Sequence, residues 1–182
     1  MTRRTELLEF AVLGLLHESP MHGYELRKRL NTALGAFRAL SYGSLYPCLR
    51  DLLTRGWLFE TDEGGQGTSK RARIVYELTA EGKERFQAMA ESAGPSSWDD
   101  ESFDVHFAFF ARTKSDVRLR ILEGRRSRLE ERLANIRDAS ARNRERMDAY
   151  TAALQRHGEE SAEREVRWLE ELIRAERGIP GP

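Results

Sequence analysis

The sequence is poor in the residues that build disulfide frameworks and metal sites. Cys48 is the only cysteine among 182 residues, which excludes an internal disulfide framework and any zinc site made of several thiolates. The 4 histidines are scattered rather than paired at metal-ligand spacing, so we expect neither a metal nor another cofactor. Only 5 prolines and 14 glycines accompany 40% apolar and 33% charged residues, a balance that predicts an ordered, soluble protein.

The sequence also lacks an excess of charge and a long hydrophobic run. The 30 basic and 30 acidic residues cancel, so no overall positive field marks a nucleic-acid binder, and any such site must be local. No run approaches the roughly 18 apolar residues of a membrane span, and we expect a cytoplasmic protein. No Gly-rich phosphate loop and no Ser-His-Asp or Cys-His arrangement is present, which predicts that the chain is not an enzyme.

A turn-rich stretch of small residues, 92–97, separates two differently built halves. We therefore predict one domain at 1–91, a linker at 92–101 and a second, helical domain at 102–182. The expected fold class is mainly α, with an α+β wing in the first half and a helical or coiled-coil second half.

Apolar spacing predicts three short helices at the start of the chain. The first ends before Pro20, and the second runs from Tyr24 to about Leu34. The third begins near Ser44 as its N-cap, with Pro47 in the first turn, and stops at Gly56 as a left-handed residue.

A β-hairpin and a fourth helix complete the first half. The residues after Gly56 favour strands, a glycine-rich segment at 64–69 follows, and apolar residues then alternate from Ala72 to Leu78. Thr79 is a natural N-cap for the next helix. This order of elements is that of a winged helix, in which the third helix enters the DNA major groove and the hairpin touches the flanking backbone.

The predicted third helix has a polar face opposite its leucines. Small, hydroxyl and guanidinium groups of this kind suit a close approach to base edges or phosphates. The wing adds a compact basic cluster, which can contact phosphates with little demand for sequence. An alternative is a winged-helix adaptor that binds another protein, although an adaptor would more often present large apolar groups on this face. The face comprises Gly43, Ser44, Pro47, Arg50 and Thr54 with Tyr46 at its border, and the wing cluster comprises Lys70, Arg71 and Arg73.

Five separated motifs lie between residues 6 and 90. They are Leu13-Gly-Leu-Leu, His22-Gly-Tyr-Glu-Leu, Ser41-x-Gly-Ser-Leu-Tyr-Pro-x-Leu-x-x-Leu, Gly56-Trp-Leu and Tyr76-x-Leu-Thr-x-x-Gly82. Together they resemble the PadR family of bacterial transcriptional regulators. The resemblance implies a homodimer that binds double-stranded DNA, usually as a repressor, and that in many members responds to phenolic acids, drugs or other small aromatic molecules. Carried over by position, the DNA-binding residues are Tyr24, Ser41, Gly43, Ser44, Tyr46, Arg50, Lys70, Arg71 and Arg73.

The apolar spacing of the second half predicts a long heptad helix that begins at Ser115 and a final helix after Gly158. The apolar face of this helix must pack on the final helix, on a partner chain or on both. Dimerisation is the simplest explanation. Asn143 at a core position could fix the register of a dimer, or could equally face water. The residues predicted for dimerisation are Leu122, Leu129, Leu133, Ile136, Met147, Tyr150 and Leu154.

Most aromatic residues of the second half could line a pocket for a small aromatic effector, since such pockets are mostly apolar with a few polar anchors. Ordinary hydrophobic packing is the alternative explanation for the same group. A two-fold dimer would in turn require an inverted-repeat operator. The predicted pocket residues are Trp98, Phe103, His106, Phe107, Phe110 and Trp168.

Overall fold

The structure is a computed structural model that describes residues 2–33, 42–62, 74–143 and 147–178. It divides into two compact units. Met1–Ala93 and Asp100–Thr113 form the first unit, and Gly94–Asp99 and Lys114–Pro182 form the second. The predicted boundary is therefore wrong in detail, because residues 102–113 were assigned to the helical half and instead fold with the first unit.

The first unit contains the predicted three helices, hairpin and fourth helix in that order, together with a short strand and a further helix that were not predicted there, and the predicted fold class is confirmed. A short 3-10 turn at Phe110–Arg112 ends it. Its elements are α1 (Arg3–Leu16), β1 (Met21–His22), α2 (Gly23–Ala33), α3 (Tyr42–Thr54), β2 (Leu58–Asp62), β3 (Ile74–Leu78), α4 (Ala80–Glu91) and α5 (Asp100–Ala108).

Helix α1 is the centre of the first unit, and every residue from Leu7 to Leu16 is buried. The ring of Phe10 stacks on Phe86 of α4 at a centroid distance of 5.1 Å, and Phe109 meets Phe10 edge-on at 5.5 Å. A β-carbon on Gly14 would overlap the Phe109 ring, so this glycine makes room for it. Burial of Phe109 against α1 explains why the residues around α5 belong to the first unit rather than to the helical half.

The first unit contains a three-stranded antiparallel sheet in the order β1-β3-β2, and β2 and β3 form the base of the wing. Strands β2 and β3 confirm the predicted hairpin, with Leu58 opposite Leu78. Strand β1 pairs Met21 with Tyr76 and was missed, because two residues are too few to display an alternating pattern. Thr79 caps α4 as predicted, since its hydroxyl accepts a 3.0 Å hydrogen bond from the Gly82 amide.

Helix α3 begins earlier than its sequence predicts. It starts at Tyr42, so Ser44 lies inside the helix instead of capping it, and Pro47 is an interior residue rather than one of the first turn. Because proline has no amide hydrogen, the helix lacks the bond that residue 47 would otherwise donate to the Gly43 carbonyl. Gly56 ends the helix with φ of +72°, as expected.

The second unit is a helical hairpin of α6 (Ser115–Asn143) and α7 (Ala149–Glu176), together with a 3-10 turn at Pro95–Trp98. Arg118 pairs with Glu176, while Arg125 pairs with Glu165 at 2.7 Å. Residues early in α6 therefore meet residues late in α7, and the two helices are antiparallel.

The predicted single long helix from Ser115 through Leu154 is wrong. Helix α6 ends at Asn143, and Asp148 starts α7 by accepting hydrogen bonds from the amides of Tyr150 and Thr151 at 2.9 and 3.0 Å. Gly158, the predicted interruption, lies within α7. The Ser115 hydroxyl donates to Glu176 rather than capping α6.

Arg125 is a buried anchor of the second unit, at 6% exposure. Its guanidinium donates to the Glu165 carboxylate at 2.7 and 2.9 Å and to the Trp98 carbonyl at 2.8 Å. The Trp98 ring packs directly on Gly124, where a β-carbon would overlap it. None of the helices in the described ranges is long and apolar enough to span a membrane.

Candidate nucleic-acid interface

Helix α3 has one buried and one exposed face. Leu45, Leu49 and Leu52 are almost completely buried and belong to the core of the first unit. Cys48 is buried beside them, and this burial, with the nearby Glu9 carboxylate as the next cause, raises the pKa of its thiol to about 12. The thiol is therefore protonated and acts as a small core residue. The exposed face comprises Gly43, Ser44, Tyr46, Pro47, Arg50 and Thr54.

The start of α2 lies against the first turns of α3. A β-carbon on Gly23 would meet the Tyr46 ring at 3.5 Å and the Tyr76 ring at 3.4 Å. Tyr24, the next residue, is 70% exposed, and Tyr46 is 44% exposed. The structure thus brings two of the predicted DNA-binding tyrosines to neighbouring positions on one exposed surface.

Arg50 on α3 and Arg29 on α2 differ in how they are held. The Arg50 side chain on α3 is exposed, and its guanidinium forms no ion pair with any described residue. The Arg29 guanidinium on α2 is instead fixed by Glu25 at 2.9 Å and Glu18 at 3.4 Å. Thr54 also has an occupied hydroxyl, which donates to the Arg50 carbonyl at 2.8 Å. Of these groups, the Arg50 guanidinium is the one that no described residue holds.

Arg27 is a functional candidate that sequence reasoning did not single out. Its guanidinium carbon lies 5.5 Å from the centroid of the exposed Tyr24 ring, within the range of a cation–π interaction. The sequence could have indicated this contact, because residues 24 and 27 are three apart on one helix and therefore share a face. Lys28 beside it is also exposed.

Four predicted DNA-binding residues, Ser41, Lys70, Arg71 and Arg73, lie outside the described residues. The base of the wing is described, and there the Nδ1 atom of His22 lies 3.2 Å from the Ile74 carbonyl oxygen. This hydrogen bond joins β1 to the first described residue of β3.

The residues predicted for dimerisation fall into two groups. Leu122, Leu129 and Leu133 are buried within the second unit of this chain. Tyr150 and Leu154 near the start of α7 are 88% and 72% exposed. Ile136 and Met147 are half-buried, and the side chain of Asn143 lies outside the described part of the structure.

The residues predicted for an effector pocket are divided between the two units. Phe103, Phe107 and Phe110 form a row of ring contacts in the first unit, at centroid distances of 5.7 and 4.9 Å. His106 packs on Phe10 at 4.7 Å, and burial lowers the pKa of His106 to about 4. Trp98 and Trp168 belong to the second unit. Among the described residues, no group of three or more His, Cys, Asp or Glu side chains could hold a metal ion.

Three helices, a short first strand and a two-stranded wing define the first unit as a winged helix-turn-helix, with α3 in the position of the recognition helix. Residues 12–88 match the family described as "Transcriptional regulator PadR-like family". The winged-helix part of the chain is therefore similar to PadR-like regulators, as its motifs predict. The family consists of regulators rather than enzymes, in agreement with the sequence prediction.

Individual proteins are similar to this chain over different lengths. The chain is 32% identical over 79 residues to the negative transcriptional regulator PadR of Bacillus subtilis, and this match spans 43% of the chain and 42% of that protein. A crystal structure of Bacillus subtilis PadR in complex with operator DNA is 20% identical, with a TM-score of 0.44, over 93% of this chain and 98% of that one. A PadR-like regulator from Bacillus cereus is 19% identical, with a TM-score of 0.42, over 94% and 98%.

Proposed function

We propose that this protein is a sequence-specific DNA-binding transcriptional regulator that reads its operator with α3. The observation that carries the proposal is the exposed face of α3, where Gly43, Ser44 and Arg50 face solvent while the leucines are buried. Small side chains allow a helix backbone to approach base edges, and a guanidinium can donate two hydrogen bonds to guanine. Such a regulator acts in the cytoplasm of a bacterium, where the chromosome lies.

The protein-binding adaptor is the second candidate, and the same face argues against it. Adaptor surfaces centre on large apolar anchors, whereas this face has Tyr46 as its one large ring among the described residues. Tyr46 in turn lies against Gly23 rather than standing alone.

The regulator is proposed to repress. Support comes from the relative in Bacillus subtilis, which is named a negative transcriptional regulator and is similar over the DNA-binding part of the chain. A bound winged helix occupies a major groove and so can block access to a promoter that overlaps its operator.

The protein is further proposed to act as a homodimer through its second unit. Tyr150 and Leu154 are one turn apart on α7 and strongly exposed, and Trp168 further along the helix is 39% exposed. Large apolar residues grouped on one helix are typical of an interface. Two copies of α3 related by a two-fold axis would read an inverted repeat whose half-site centres lie about 10–10.5 base pairs apart or near a multiple of that spacing.

Release by a small aromatic effector is the final part of the proposal, and it rests on the resemblance and the aromatic residues alone. In the described units these residues pack with neighbours, Phe107 on Phe103 and Trp98 on Gly124, which agrees with the alternative of ordinary packing. A panel of phenolic acids added to a preformed protein–DNA complex tests the proposal, since an effector would release the DNA at saturating concentration.

The central experiment selects DNA from a random library with the wild-type protein and then measures the binding of Arg50→Ala to the enriched duplex. Loss of a bidentate base contact costs about 1–3 kcal/mol, and preference at one operator position should relax. Arg132→Ala, which removes an exposed arginine from α6, is the matched control and should bind normally. If no sequence is enriched by the wild-type protein, the proposed function is wrong. Equal weakening on enriched and random DNA would instead assign Arg50 to a phosphate.

A further inference from the structure

A buried carboxylate lies behind the recognition helix, at the corner where the chain leaves α3 and enters the wing. Glu9 of α1 is 1% exposed. Its Oε1 atom accepts a hydrogen bond from Nε of Arg85 at 2.9 Å and lies 2.9 Å from a terminal nitrogen of the same guanidinium, and its Oε2 atom lies 3.8 Å from Arg55. Arg55 follows the last residue of α3, and Arg85 belongs to α4, so one carboxylate connects three elements of the domain.

Trp57 completes this group, which we call the corner cluster: Glu9, Arg55, Trp57 and Arg85. The guanidinium carbons of Arg55 and Arg85 each lie 5.0 Å from the Trp57 ring centroid, in the range of cation–π contacts. Trp57 directly precedes β2, the first strand of the wing. The two arginines that neutralise Glu9 therefore also hold the side chain at the start of the wing.

The backbone of the same corner is fixed independently by Leu52 of α3 and by Thr79, the N-cap of α4. The Trp57 amide donates to the Leu52 carbonyl at 3.0 Å, and the Trp57 carbonyl accepts from the Thr79 amide at 3.1 Å. The Thr79 hydroxyl donates to the Gly56 carbonyl at 2.8 Å. These bonds set the path of the turn, while the corner cluster ties that turn to the central helix α1.

We propose that the corner cluster positions the recognition helix relative to the wing, and that Glu9 is thereby a positioning residue for operator recognition. This inference rests on the proposed DNA-binding function. Burial of a carboxylate is costly, and a well-packed apolar residue often stabilises a fold as well as a buried ion pair does. A charge at this position is explained if it fixes one geometry, because base readout by α3 and backbone contact by the wing depend on the angle between them.

The test compares binding of two duplexes: the sequence enriched by the wild-type protein and a random duplex of equal length. Glu9→Gln keeps the shape of the side chain and removes its charge. We expect its affinity for the enriched duplex to fall by about tenfold or more, the loss of one base contact, while affinity for random DNA changes by less than about twofold. The matched control is Glu123→Gln, which breaks an exposed pair with Arg177 in the second unit and should leave both affinities unchanged.

A double variant separates positioning from simple stabilisation. Glu9→Met with Arg85→Met replaces the buried pair by apolar side chains of similar length, so thermal stability should stay close to that of the wild type. The inference predicts that discrimination between the two duplexes is still reduced in this stable variant. If discrimination is normal, or if Glu9→Gln binds the enriched duplex as the wild type does, the corner cluster is not a positioning device. Failure of the wild type to enrich any sequence would instead refute the proposed function.

Discussion

Acidification should destabilise the first unit through His106, because its half-buried ring packs on Phe10 and burial disfavours the charged form. Burial lowers the pKa of His106 from 6.5 to about 4. Between these two values the unfolded chain binds the proton and the folded chain does not, so the free energy of unfolding rises with pH across this window. The stability that the neutral His106 ring contributes is therefore fully present above about pH 6.5 and is lost as the pH falls towards 4.

The size of this effect follows from the shift. Each unit of pKa difference corresponds to about 1.4 kcal/mol, so the full contribution is about 3 kcal/mol. Between about pH 7 and about pH 5 most of the difference in protonation has developed, and the free energy of unfolding should fall by about 2 kcal/mol through this one residue.

Urea unfolding of the wild type and of His106→Gln at both pH values measures the effect. Other groups also titrate in this range, so the informative quantity is the difference between the two pH dependences rather than either one. The variant should lose about 2 kcal/mol less on acidification. His157→Gln, a change at an exposed histidine of α7, is the matched control. Identical pH dependences of the wild type and His106→Gln would refute the assignment of a half-buried, neutral ring.

Two further predictions concern backbone packing and assembly. Gly82→Ala should lower stability by about 1–3 kcal/mol in thermal or urea unfolding, because its β-carbon would overlap the Trp57 carbonyl oxygen, which α4 could relieve only by shifting. Gly158→Ala is the matched substitution inside α7, where a β-carbon would meet no atom of another described residue within 4 Å beyond its own stretch of helix, and it should stabilise by up to about 1 kcal/mol. Equal effects at the two positions would contradict the overlap argued for Gly82. Leu154→Lys should shift the protein towards monomer in light scattering without unfolding the hairpin. If the variant has the mass of a dimer at all concentrations, α7 is not part of the interface.

The sequence was sufficient wherever a local rule decides the structure. The 3.6-residue period places the leucines of α3 inside, and left-handed glycines end helices at Gly56 and Gly178, with φ values of +72° and +67°. The Thr79 cap is of the same kind. The exposed face of the recognition helix follows from these rules, so that part of the candidate site could be derived without the structure.

The division between the units was not predictable in this way, because it depends on contacts between distant residues. Phe109 packs on α1 only where Gly14 leaves room for its ring. The sequence around residue 109 gives no sign of the space that Gly14 leaves. The corner cluster was missed for the same reason: Glu9 and Arg85 are 76 residues apart, and a glutamate inside an apolar helix does not reveal its partner.

The long helix was mispredicted because the apolar spacing continues across a real break. Met147, Tyr150 and Leu154 keep the heptad register of α6, yet α6 ends at Asn143 and a new helix begins after the Asp148 cap. The decisive information is the cap at Asp148 together with ion pairs such as that of Arg125 with Glu165, which match only in an antiparallel hairpin. Heptad spacing alone therefore did not distinguish one helix from two.

This break changes what can carry a dimer. Leu129 and Leu133 are already buried within the hairpin, so a charge at Leu133 would damage the fold of one chain and would not report on assembly. Leu154 is 72% exposed and can be changed without such damage. In a two-fold interface each substitution acts twice, and burial of a leucine contributes about 1.5–3 kcal/mol, so Leu154→Lys should weaken the dimer by about 3–6 kcal/mol. A loss of that size raises the dissociation constant by more than about a hundredfold, which moves a tight dimer into the micromolar range where light scattering resolves it.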